Sequence, residues 1–186
     1  MHEVEVKAAL KDKPAVMKAL EALGASFSEP TTEADTLYAK DIGNMEAYNR
    51  NADFLRIRVR GSGEIIFTLK HHPTRHEGRP DSMPIEHETS VGSKDEMEEM
   101  IRIMGYQEVV KTDKVRQKGH VGKWEVCIDE VEGLGTFIEL EELTDGTETQ
   151  RVIDEMLEFL ATLGIAREDM FADRYDIALL KKRWEV

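Results

Sequence analysis

The chain has 186 residues, 38 acidic and 25 basic side chains, a net charge of −13 and a pI near 4.9. That balance argues against a general nucleic-acid binder, which is usually basic. The single cysteine, Cys127, excludes an internal disulfide, and no apolar run approaches the roughly 20 residues of a membrane helix. One globular domain over residues 1–186, cytoplasmic, with no nucleic-acid or membrane partner, is the expectation.

The first element is E-V-E-V-K at 3–7. Alternate side chains of a strand leave on opposite faces, so Glu3, Glu5 and Lys7 share one face and Val4 and Val6 the other. This strand, taken as 2–9, begins at once and leaves no room for a leader. Lys13 to Leu23 reads as an amphipathic helix, with Val16, Ala19, Leu20 and Leu23 on one side, Pro14 near its start and Gly24 after its end. Residues 33–40 are extended, and 41–52 read as a polar loop. From Phe54 to Arg60 the alternation is clear: Leu55, Ile57 and Val59 face one way, Arg56, Arg58 and Arg60 the other. Gly61-Ser62-Gly63 turns the chain into a second arm, Glu64 to Lys70.

Residues 71–83 hold Pro73, Gly78 and Pro80 among many charges and read as a flexible loop. Pro84 to Val91 is a strand that places Glu86 and Glu88 on one face. Ser93, with Glu96 three residues on, caps a helix to Met104, where Met97, Met100 and Met104 are read as core. Tyr106 to Lys118 is extended and basic, and Gly119 to Gly122 is read as its turn. Strands at 123–130 and 136–142 flank Gly133-Leu134-Gly135. Helices at 147–163 and 173–183 complete an α+β chain dominated by antiparallel strands.

Nearly every strand thus has a charged side and an apolar side. A sheet with one wetted face explains any one of them. Taken together, with helices available to cover the apolar sides, they suggest a charged lining. Crowded carboxylates attract cations, and lysines and arginines attract anions, so a metal–polyphosphate complex fits both. Clustered carboxylate oxygens suit Mg²⁺ or Mn²⁺.

E-V-E-V-K at 3–7, L-R-I-R at 55–58, T-L-K at 68–70, I-E-H-E at 85–88 and D-E-V-E-G-L-G-T-F-I-E-L-E at 129–141 together resemble the CYTH domain. That superfamily comprises class IV adenylyl cyclases and thiamine triphosphatases, also called triphosphate tunnel metalloenzymes. The resemblance runs from residue 2 to about residue 180 and implies a closed antiparallel β-barrel, a tunnel of about eight strands with a charged interior, flanked by helices. It implies Glu3, Glu5, Glu139 and Glu141 as metal-binding and catalytic acids, with Asp129 a further metal-binding acid, and Lys7 as a catalytic, phosphate-binding lysine. Arg56, Arg58, Lys70, Lys111 and Arg116 would hold the triphosphate, with Lys114 and Lys118 as neighbouring alternatives to the last two. Glu86 and Glu88 match a second acidic pair at the substrate.

The implied substrate is a small triphosphate: ATP, tripolyphosphate or thiamine triphosphate. The D-E-V-E-G-L-G stretch is most similar to the cyclase branch, which makes cyclic AMP and pyrophosphate. Hydrolysis to orthophosphate is the alternative, and a polyphosphate- or nucleotide-binding module without turnover the third. Oligomeric state stays open, with a homodimer as one option.

Overall fold

The computed structural model describes residues 2–40, 43, 48, 53–71 and 85–184. The elements run in the order β1 (His2–Ala9), α1 (Lys13–Ala22), β2 (Ser26–Phe27), β3 (Thr31–Ala39), β4 (Asp53–Arg60), β5 (Ile65–His71), β6 (Ile85–Ser90), α2 (Lys94–Ile103), β7 (Gln107–Val121), β8 (Trp124–Val131), β9 (Gly135–Thr144), α3 (Thr149–Thr162), a 3₁₀ turn (Arg167–Asp169) and α4 (Tyr175–Trp184). They fall into two compact units, Met1–Thr31 with Lys114–Asp173, and Thr32–Asp113 with Arg174–Val186. Of the two expected loops, 41–52 lies outside the described residues except for Gly43 and Tyr48, and 71–83 does so except for His71, which ends β5.

The first unit orders its strands β1-β9-β8-β7, with β2 pairing on β7, and every ladder is antiparallel. Register follows the period-two pattern: Val6 opposes Leu140 and Ile138 opposes Ile128, so apolar residues stack on one face. Two helices cover that face. Val4, Val6, Ala8, Val126, Ile128, Ile138 and Leu140 pack with Val16 and Leu20 of α1 and Val152, Met156 and Leu160 of α3. Each such side chain contributes roughly 1.5–3 kcal/mol by leaving water. Helix α1 starts where Asp12 accepts the Ala15 amide at 3.0 Å, with Pro14 in the first turn, where a missing amide costs nothing.

The second unit orders its strands β3-β4-β5-β6, again antiparallel. Its apolar face carries Tyr38, Leu55 and Ile57, covered by Ile101 and Met97 of α2. Ser93 caps that helix by accepting the Glu96 amide at 3.3 Å. A second cluster joins Ala39, Tyr48 and Val109 to Leu180 of α4, with Trp184 packed against it.

The observed architecture is α+β, with nine strands and four α-helices among the described residues. No helix there is long and apolar enough to cross a membrane. Two local expectations fail. Met100 and Met104 are 50% and 51% exposed, because α2 buries only a narrow stripe at Ile101 and Met97. Gly119 lies inside β7, opposite Phe27, and the turn comes later, at Gly122, whose φ of 58° suits a tight reversal. The two-residue β2 carries too little pattern to be seen in sequence; it approaches so closely that a Cβ on Gly119 would sit 2.7 Å from the Ser26 carbonyl oxygen.

Candidate functional site

In the first unit the charged face is a grid set by register. Lys7 opposes Glu139, which opposes Cys127, which opposes Lys118. One step along, Glu5 opposes Glu141 and Glu141 opposes Glu125. Strand alternation brings these groups to one side, and ladder pairing brings them within reach of one another. Lys7 Nζ lies 3.1 Å from both a Glu5 and a Glu139 carboxylate oxygen. Burial works against its positive charge, but Glu139 and Glu5 outweigh it and raise its pKa.

Arg116 and Lys114 of β7 converge on Asp129 of β8, whose side chain is fully buried. Arg116 Nε donates to Asp129 Oδ1 at 2.6 Å, and Arg116 Nη2 bonds both Asp129 and Glu139. Lys114 Nζ donates to Asp129 Oδ2 at 3.2 Å. Burial penalises both charges, yet the pairing prevails: the guanidinium is held above its usual range and the Asp129 carboxyl below its own.

Glu141 behaves oppositely. Burial, then the like charges of Glu3 and Glu139, push its pKa up to about 7. Glu125, Cys127 and Glu141 bring ligand-type atoms within 4.8 Å of one another. Burial pushes the Cys127 thiol far up. A cleft of about 570 Å³ opens beside these acids, lined by Glu3, Glu141, Glu125, Lys118 and His120. Half-buried carboxylates repelling one another next to open space are the setting a divalent cation relieves, and oxygen donors match Mg²⁺ or Mn²⁺.

The second unit has a charged face of another kind, in which each cation is clamped. Arg58 donates twice to Asp35, Nε to Oδ1 and Nη2 to Oδ2, both at 2.7 Å, and its Nη1 lies 3.2 Å from Glu33. Arg56 Nη2 donates to Glu88 at 2.8 Å and to Thr68 Oγ1 at 3.2 Å, and the Thr68 hydroxyl donates to the same Glu88 oxygen at 2.8 Å. Lys70 pairs with Glu86. Burial resists the Glu86 charge, but Lys70, then Arg56 and Arg58, pull its pKa below the usual carboxylate range.

These placements revise parts of the expectation. Lys111 is exposed and pairs with Glu108 at 3.4 Å, beside a buried Thr112 on the alternate face; Lys114 is the lysine that meets Asp129. Asp129 accepts from both Arg116 and Lys114. Glu86 pairs with Lys70 of the adjacent β5, and Glu88 with Arg56 of β4. Glu33 and Asp35 are both buried, two residues apart on the same face of β3, and Asp35 is directly opposite Arg58.

The chain matches the profile of the CYTH domain over residues 1–175. A protein of Methanocaldococcus jannaschii named as a candidate adenylate cyclase is 30% identical over 176 residues, covering 94% of this chain and 97% of the relative. A solved structure from Pyrococcus horikoshii superposes with a TM-score of 0.78 at 26% identity, covering 98% of this chain and all of the other. At 20% identity and a TM-score of 0.63, a Hippeastrum protein shares the fold over 98% of this chain and 96% of its own; it is described as an adenylyl cyclase candidate with a dominant triphosphatase activity. With a family match across nearly its whole length, this chain belongs to the CYTH domain family.

Proposed function

We propose that the protein is a divalent-metal-dependent enzyme acting on a small triphosphate, of the class IV adenylyl cyclase type. The observation that carries this is Glu141, held near pKa 7 by burial and by Glu3 and Glu139, on a face that also presents Lys7 and Arg116. Carboxylates so crowded serve no purpose in binding phosphate alone, since they repel it; a cation between them and phosphoryl oxygens reverses the sign.

Glu3, Glu5, Glu139 and Glu141 would hold Mg²⁺ or Mn²⁺, which when bound screens phosphate charge and polarises its oxygens. Lys7 and Arg116, and in the second unit Arg56, Arg58 and Lys70, donate to phosphoryl oxygens and offset charge shifting to the leaving group. Asp129, Asp35, Glu86 and Glu88 fix the cations in place. With ATP, attack of its own 3′-hydroxyl on the α-phosphorus breaks the bond to the β-phosphate bridging oxygen and releases pyrophosphate, and the hydroxyl proton passes to solvent.

Hydrolysis is the second reading, favoured by the triphosphatase activity described for the Hippeastrum fold relative. Water then attacks the terminal phosphorus, the bond from that phosphorus to its bridging oxygen breaks, and orthophosphate leaves beside a diphosphate. Incubation with ATP, tripolyphosphate and thiamine triphosphate in Mg²⁺ or Mn²⁺, followed by product identification, decides the matter. Cyclic AMP with pyrophosphate supports the cyclase. Orthophosphate supports the hydrolase. Tight binding without turnover under either metal refutes an enzyme.

A further inference from the structure

Cys127 stands on the charged face of the first unit and has no part in the proposed chemistry. It opposes Glu139 of β9 and Lys118 of β7, and Glu125 and Asp129 take the next positions on its own face of β8. It is fully buried and is the single cysteine of the chain. Its sulfur sits between two carboxylates, 3.6 Å from Glu125 Oε1 and 4.0 Å from Glu141 Oε1. A thiol has one proton, so it satisfies at most one of these oxygens at a time. The other contact sets sulfur and oxygen lone pairs against each other.

A sulfur and two carboxylate oxygens, all within 4.8 Å of one another, have the spacing of a ligand shell. A tetrahedral zinc ion with sulfur at about 2.3 Å and oxygen at about 2.0 Å holds those two donors about 3.5 Å apart. Cys127 and Glu125 already have that separation, and Glu141 has about 0.5 Å to close. Both carboxylates line the cleft of about 570 Å³, which gives an ion its way in. His120 lines it too, directly opposite Glu125 in the ladder, and an imidazole nitrogen suits the fourth position of such a shell. Lys118 Nζ donates to Glu125 at 2.6 Å from a side chain 51% accessible. It orients the carboxylate as the outer partners of metal ligands do, and its exposure lets it swing aside.

We propose that Glu125, Cys127 and Glu141 form a binding site for a thiophilic divalent cation, Zn²⁺, distinct in chemistry from the all-oxygen set offered to Mg²⁺ or Mn²⁺. The sulfur makes the choice. Mg²⁺ takes six oxygens and gains nothing from a thiolate, whereas zinc accepts sulfur with oxygen or nitrogen in a four-coordinate shell. On binding, the Zn–S bond forms, the S–H proton passes to solvent, and the ion offsets the thiolate and both carboxylates. Glu141 belongs to both sets, so zinc here withdraws a carboxylate from the other ion and acts as a brake; that consequence alone rests on the proposed function.

The test uses the full chain, reduced and stripped of metal, with no triphosphate present, so its outcome is independent of the proposed function. Co²⁺ is the visible probe. Cobalt on a thiolate gives an intense near-ultraviolet charge-transfer band that oxygen ligands do not give, and with one cysteine in the chain the band reports Cys127 alone. The expected band saturates at an equimolar ratio, is abolished by Zn²⁺ and survives a large excess of Mg²⁺. Zinc affinity, read by competition with a chromophoric chelator, should fall about 10–100-fold in E125Q and further in C127S, since even the outer partner of a metal ligand is worth about 10–100-fold. Thermal unfolding shows which variants fold; E125Q changes a half-buried side chain at the cleft and carries the test if C127S does not fold. A wild-type protein without the band overturns the site. Zinc affinity unchanged in either folded variant overturns the ligand set. A band lost to excess Mg²⁺ overturns the preference for a thiophilic ion.

Discussion

Replacing Glu141 with glutamine should stabilise the metal-free protein at alkaline pH while destroying its response to metal. Its pKa rises from the ordinary value of 4.5 to about 7, first through burial and then through Glu3 and Glu139. A tenfold change in proton affinity corresponds to about 1.4 kcal/mol, so the rise sets a ceiling of roughly 3 kcal/mol. Glu141 is half-buried beside an open cleft, and screening there reduces the figure to about 1–2 kcal/mol. A raised carboxyl pKa means that the folded state favours the proton. The contribution is fully present below about pH 4.5 and is lost as the pH climbs through 7. Above pH 8 wild-type Glu141 is therefore a charge forced into a poor place, and the neutral amide removes it. For a chain of this size the gain amounts to about 3–6 °C in melting temperature. The assay is calorimetric unfolding of wild type and E141Q in EDTA at pH 8.5 and pH 5, repeated with Mn²⁺ at pH 8.5. The variant should melt higher at pH 8.5, equal wild type at pH 5, and lose most of the Mn²⁺-induced rise. An equal drop in melting temperature at both pH values would refute the electrostatic reasoning, because it would mean that Glu141 is held by packing or hydrogen bonds and not crowded by its neighbours.

D129N should destabilise by about 3–5 kcal/mol in urea unfolding, since Arg116 and Lys114 would keep buried charges without their shared carboxylate; a change under about 1 kcal/mol would show that Glu139 suffices for both. The Cys127 thiol, fully buried and with its pKa pushed up, should resist Ellman's reagent at pH 8 in the native protein and react at once in guanidinium chloride; rapid native labelling would contradict the buried strand position. G119A should cost about 1–3 kcal/mol by forcing β2 away from β7, measurable as a lower urea midpoint; an unchanged midpoint would mean that β2 yields without loss.

What the sequence discloses depends on how each residue is placed. Glu3, Glu5 and Lys7 are readable because a short strand with valines between its charges has only one way to bury its apolar side. Arg56 and Arg58 are readable for the same reason. Lys111 is misread because β7 spreads lysines over both faces at 111, 114 and 118, and alternation alone gives no phase. The phase comes from Asp129, supplied by β8 through a ladder that no local pattern encodes. Glu86 and Glu88 are legible as an acidic pair on one face, but not their partners, because register is what places Lys70 and Thr68 opposite them. Arg174 is invisible to motif reading, since it meets Phe54 from 120 positions away in a chain whose period there is helical. The methionines of α2 mislead because helical spacing marks a stripe without telling how wide the covering sheet is.

The double grip of Asp35 on Arg58 has a bearing on how such a surface would work in saline water. A guanidinium chelated by Asp35 on one edge, with Nη1 3.2 Å from Glu33, meets a newcomer with its charge already shared. The newcomer gains a donor of fixed aim, but no bare charge. Attachment at that point should be brisk and modest, with little counterion shed, so raising potassium chloride should weaken it only gently. A bench of pre-neutralised cations also lets a spent product leave without stranding a naked positive group behind it.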